Sequence, residues 1–214
     1  MRPKRDGWNI LLAGFWNRLI FTPDWVIPHF FPGEQEIETH VALLPILPII
    51  YKTHGVSLEV SSTRLVLRPP VPFTDEGLLR IEKMARIALD SLSETPVQAV
   101  GINFAYEDNH PAPHLLAMFN DVDDVELGQL GWEIGERRLA RRLSRRDDVL
   151  NLSAVLKENA VTFEFNFHIE VGAPASQAIN RFAARKILAL RDAATELLSH
   201  TYNVEVEDGD VAGL

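Results

Sequence analysis

Apolar and polar side chains alternate without a fault from Val161 to Val171. Val161, Phe163, Phe165, Phe167, Ile169 and Val171 fall on one side, and Thr162, Glu164, Asn166, His168 and Glu170 on the other. A strand turns successive side chains to opposite faces, so this period of two predicts a strand with one covered and one open face. The apolar segment Val149 to Leu156 precedes it. A turn centred on Glu158 and Asn159 would make the two a hairpin, with Leu152 opposite Phe165 and Asn151 opposite Asn166. Val97 to Glu107 predicts another strand, whose faces differ in bulk: Val100, Ile102, Phe104 and Tyr106 against Ala99, Gly101, Asn103 and Ala105. The small face is expected to admit the close approach of a helix. Val56 to Pro69 predicts a hairpin that reverses near Ser61, Ser62 and Thr63. Trp8 to Phe21 is apolar on both faces, which fits a strand buried on both sides, with a buried helix as the alternative that periodicity leaves open.

Two stretches repeat at helical spacing. Residues 75–93 begin at a capping Thr74 and place Leu78, Ile81, Ala85, Ala88 and Leu92 on one stripe, while Glu82, Arg86 and Asp90 step along a polar face where they can pair. Residues 174–200 predict one long terminal helix, with Ile179, Phe182, Ala183, Ile187, Leu190, Ala194, Leu197 and Leu198 inward, followed by an acidic tail that frays. Thr22, Pro23 and Asp24 open a short helix that Pro28 and Pro32 limit, and Pro45 and Pro48 push the extended segment Glu36 to Tyr51 to a sheet edge.

Together these elements predict a single α+β domain over 1–214. An antiparallel or mixed sheet of roughly seven strands is covered mainly on one side by the helices 75–93 and 174–200. A large curved sheet with a long terminal helix resembles SecB-like chaperones in outline, an analogy of architecture that no residue motif supports. An internal echo adds to the picture. Asn103, Phe104, Glu107, Pro111, Ala112 and Phe119 recur at a constant offset as Asn166, Phe167, Glu170, Pro174, Ala175 and Phe182. Either two βα units are pseudo-duplicated, or two strand-to-helix junctions coincide in sequence.

Charge and cysteine narrow the function classes. With 21 Lys or Arg against 30 Asp or Glu, the net charge is −9, which disfavours nonspecific nucleic-acid binding. The absence of cysteine removes disulfides, thiolate nucleophiles and Cys-ligated zinc, and a cytoplasmic location is expected. The basic opening residues lead only to a short apolar run, Ile10 to Trp16, before Asn17 and Arg18, so neither a signal peptide nor a membrane segment is expected.

Two constellations could carry chemistry. The open faces of the two strands offer a polar row of Asn103, Glu107, Glu164, Asn166, His168 and Glu170; a carboxylate and an imidazole on one face can bind a metal or share a proton, or can simply be a solvated sheet face. Arg137, Arg138, Arg141, Arg142, Arg145 and Arg146 recur in pairs every four residues, so on a helix they form two adjacent basic rows. Acids upstream and bases downstream suit the helix dipole; an acidic partner, then nucleic acid or phosphate, are the functional alternatives. His110 and His114 flank two prolines and predict a surface loop rather than a zinc site. No phosphate cradle, nucleophile elbow or HExxH motif is present, and no cofactor or metal is expected. The expectation is therefore a noncatalytic interaction or assembly protein with a protein partner or self-association. A metal-assisted hydrolase around His168 and Glu170, and nucleic-acid binding through the arginines, are the rivals.

Overall fold

The computed structural model describes residues 1–41, 44, 47–145, 148–182 and 185–207. The strands in chain order are β1 (Arg2–Pro3), β2 (Asn9–Gly14), β3 (Glu38–Val41), β4 (Ile49–Thr53), β5 (Val56–Val60), β6 (Arg64–Arg68), β7 (Pro96–Asp108), β8 (Glu136–Arg145), β9 (Asp148–Lys157) and β10 (Ala160–Pro174). The helices are α1 (Pro23–Phe30), α2 (Asp75–Ser91), α3 (Pro113–Ala117), α4 (Asp124–Gln129), α5 (Ala175–Arg181) and α6 (Lys186–Tyr202). All ten strands join one sheet in the order β3-β4-β5-β6-β2-β7-β10-β9-β8, with β1 beside β7, and every pairing is antiparallel. The α+β class is as expected, but the sheet exceeds the seven strands anticipated and there are six α-helices among the described residues. None is long and apolar enough to cross a membrane.

The faultless alternation of β10 places Val161, Phe163, Phe165, Phe167 and Ile169 in the core, and the bulky side of β7 lies beside them. The hairpin register is the predicted one, with Leu152 opposite Phe165 and Asn151 opposite Asn166. Its turn residues Glu158 and Asn159 both take positive φ, 49° and 65°, the backbone that a tight hairpin reversal requires. The helices pack on the bulky face. From α2 come Leu78, Ile81, Ala85 and Ala88, from α6 Ile187, Leu190, Ala194 and Leu198, all buried. Thr74 caps α2 as expected, its Oγ1 accepting the Gly77 N–H at 3.1 Å.

Several expectations are corrected. The long helices do not lie on the small-residue side of β7; the helix that approaches it is a single 3-10 turn, Arg5–Gly7, so close that a Cβ on Gly7 would lie 2.2 Å from that of Ala105. Bulk won because large side chains had to bury somewhere, and the helices supply that cover. The strand expected from Trp8 to Phe21 stops at Gly14, where the β2–β7 register shifts, and is fully buried on one side only, with Ile10 and Leu12 inward and Asn9, Leu11 and Ala13 half-buried on the other. The terminal helix is interrupted: α5 ends at Arg181, Arg185 is left-handed with φ 61°, and α6 begins at Lys186, while Ala183 lies outside the described residues. Glu82 caps the restart. It is buried rather than paired along a solvated face, and its carboxylate accepts the N–H groups of Arg185 at 2.5 Å and Ile187 at 2.9 Å. Arg86 likewise bonds the Phe182 carbonyl at 2.7 Å instead of a neighbouring acid. The start of the tail is held: Val204 is buried and the Met1 amino group donates to the Glu205 carbonyl at 2.9 Å.

Candidate functional site

Strand alternation puts the polar row on the face opposite the long helices, and brings two of its members, Asn103 and Asn166, together. Asn103 and Asn166 are direct cross-strand partners, and Asn9 on β2 and Asn151 on β9 extend the row on either side. The side chains form a relay of amides. Asn151 Nδ2 donates to Asn166 Oδ1 at 2.9 Å, Asn166 Nδ2 to Asn103 Oδ1 at 2.6 Å, and Asn103 Nδ2 to Asn9 Oδ1 at 2.8 Å. Gly101 makes room for it, since a Cβ there would sit 3.2 Å from Asn166 Nδ2.

The remaining members of the row are dispersed among basic partners and open sheet. Glu107 pairs with Lys4 at 2.9 Å and Glu164 with Arg138 at 3.1 Å. His168 stands between Gly101 and Val149, and Glu170 lies opposite Ala99. Among the described residues no group of three His, Cys, Asp or Glu is gathered as a metal would need. Amides neither titrate nor act as general bases, so the ladder itself positions strands rather than moves protons.

The arginines are on a strand, not a helix. Pairs at four-residue spacing fit a helical stripe, but they fit alternation equally, and the hydrogen-bonded partner β9 decides the matter. On β8, Arg137, Leu139, Arg141, Leu143 and Arg145 therefore face the helix side, and Arg138 and Arg142 the open side. Arg146 lies outside the described residues. Arg137 donates to Asp124 at 2.6 Å and to the Phe119 carbonyl at 2.7 Å, and Arg141 to the Tyr202 hydroxyl at 3.1 Å. The Arg137 guanidinium, helped by the Asp121 N–H, holds the Asp124 carboxyl below the usual carboxylate range. Arg142 and Arg145 are exposed and have no carboxylate partner among the described residues.

Beside β8 lie features that hydrophobic periodicity did not signal. Residues 122–134, which carry α4, expose Val122, Val125, Leu130, Trp132 and Ile134, with Val122 96% and Trp132 69% accessible. A groove of about 500 Å³ runs between α6 and the outer strands, floored by Leu143, Leu150 and Phe167 and walled by Leu190, Ala193 and Leu197. Its rim carries Arg145 and the Lys186–Asp148 ion pair at 2.6 Å. Asn9 also escaped notice, although a lone amide inside an otherwise apolar strand was a usable signal.

His110 is exposed in a loop as expected, whereas His114 enters α3 and its Nε2 lies 2.9 Å from the Tyr202 carbonyl. No protein-family model matches this chain, and no curated protein sequence matches it.

Proposed function

We propose that this protein is a noncatalytic interaction protein that holds a protein partner along the margin formed by residues 122–134 and β8. One observation carries the proposal: five large apolar side chains between residues 122 and 134, Val122, Val125, Leu130, Trp132 and Ile134, stand in solvent and lead into a strand edge that no other described strand shares. Each such side chain gains about 1.5–3 kcal/mol when it is fully buried, so their clustering favours an occupant. Aromatic and arginine side chains are also the groups that most often anchor protein interfaces. The absence of cysteine is in keeping with action in a reducing compartment such as the cytoplasm.

A photo-reactive residue placed at Trp132, compared with one at the exposed Lys83 on α2, tests the proposal in cells that make the protein. A discrete covalent adduct from position 132 and none from position 83 is the expected result. Identical adducts from both, or none from either, would overturn it.

A further inference from the structure

We infer that the partner contributes an extended segment, rich in acidic and aliphatic residues, which adds to β8 as an eleventh strand; this rests on the interaction function proposed above. β8 is a ten-residue strand at the end of the sheet, hydrogen-bonded on one side to β9 and to no other strand among the described residues. Proteins usually keep such edges short or cover them, because the free N–H and C=O groups recruit other chains. Charge alone guards an edge, but here two leucines alternate with the arginines of the helix side, beside an apolar groove, which a purely protective edge has no reason to offer.

Two rows of cross-strand neighbours run through the sheet and stop at β8. On the helix side Ile10, Ile102, Phe167, Leu150 and Leu143 face one another in turn, and Leu143, still 39% accessible, is the outermost. A residue opposite Leu143 on an added strand would extend that row under α6, where the groove accepts an aliphatic side chain. On the open side Asn9, Asn103, Asn166 and Asn151 lead to Arg142, whose guanidinium meets no carboxylate among the described residues. The added strand's residue opposite Arg142 should therefore be acidic, as should the one opposite Arg145. An aliphatic residue directly followed by an acid, on opposite faces, is the core of the recognised pattern.

The same charges argue against a second copy of this chain pairing edge to edge. Every symmetric antiparallel register of β8 on itself that overlaps by more than three residues sets at least one arginine opposite another arginine. Nucleic acid is a poorer fit as well. The chain carries a net −9, and Arg137 and Arg138 are already engaged by Asp124 and Glu164.

The test is selection of random peptides of about twelve residues, long enough to span β8, displayed on phage against the whole protein. Enriched peptides are then synthesised and their binding measured by fluorescence anisotropy. Alternating acids and aliphatics are expected, with affinity falling about ten-fold or more on the double change Arg142→Glu and Arg145→Glu, and separately on Leu143→Lys. These side chains are exposed, so circular dichroism should be unchanged. Methylating every second backbone nitrogen should abolish binding for one peptide edge and spare it for the other, the signature of strand addition rather than charge attraction. Enrichment of acid-free peptides, no enrichment, indifference to the charge reversal, preferential binding of a single-stranded oligonucleotide, or a dimer that the reversal dissolves would each overturn strand addition. A cross-link at position 132 that survives such a failure leaves the interaction function standing; loss of the cross-link removes both.

Discussion

The carboxylate of Glu82 accepts the N–H of Ile187 at 2.9 Å, so a side chain of α2 caps the first turn of α6 from 105 residues away. The free N–H groups at a helix start attract negative charge, and a buried acid satisfies two of them here, since Arg185 donates to the other carboxylate oxygen. Replacing Glu82 with Ala leaves both donors without their acceptor, the Ile187 N–H in a buried site. Urea unfolding should show a loss of about 3 kcal/mol, and Glu82→Gln, which keeps one acceptor, should lose less.

Phe165 lies at the centre of the sheet's covered face, opposite Phe104 and Leu152, with its ring 5.9 Å from that of Tyr106 in an edge contact. Phe165→Ala should cost about 3–5 kcal/mol in the same measurement. A smaller loss would mean that the neighbouring strands collapse into the space.

The amide ladder should behave as a coupled unit. Asn103→Ala and Asn166→Ala each remove a link, and a double-mutant cycle should return a coupling of about 0.5–1.5 kcal/mol. Additive losses would show that the 2.6 Å contact contributes nothing in solution.

The Asp124–Arg137 pair ties the 122–134 segment to β8, and its strength should follow pH. Asp124 keeps its charge to lower pH in the fold than in the unfolded chain. Its contribution is therefore complete above the ordinary carboxylate value, declines below that value, and is gone once the pH drops beneath the depressed one. Exchange of the Trp132 amide, which donates to the Leu127 carbonyl at 3.0 Å, should accelerate through that acidic window after correction for the intrinsic rate. Asp124→Asn should flatten the response.

What was legible in the sequence was local. The β9–β10 register followed from alternation plus a two-residue turn, and the capped start of α2 from Thr74, because each depends on residues a few positions apart. The restart of α6 is capped by Glu82, far back in the chain, which local spacing does not reveal, and so an uninterrupted apolar stripe pointed to one helix. The arginine pairs were misassigned for a related reason: Leu139 and Leu143, four apart, share a face on a strand and on a helix alike. The shared face of the polar row was legible because strand faces follow from parity, whereas the exposed side chains from Val122 to Ile134 break the rule that apolar residues go inside, and no pattern announces that.

β2 carries a further consequence through its position. This six-residue strand, near the beginning of the chain, is the link that hydrogen-bonds β6 to β7 and so joins the first four strands of the sheet order to the last four. During synthesis it emerges well before its partner β7 and cannot be zipped in on both sides until residue 103 and its neighbours exist, so loop closure over most of a hundred residues must precede it. Until that keystone seats, the nascent protein is two half-sheets with a raw seam between them.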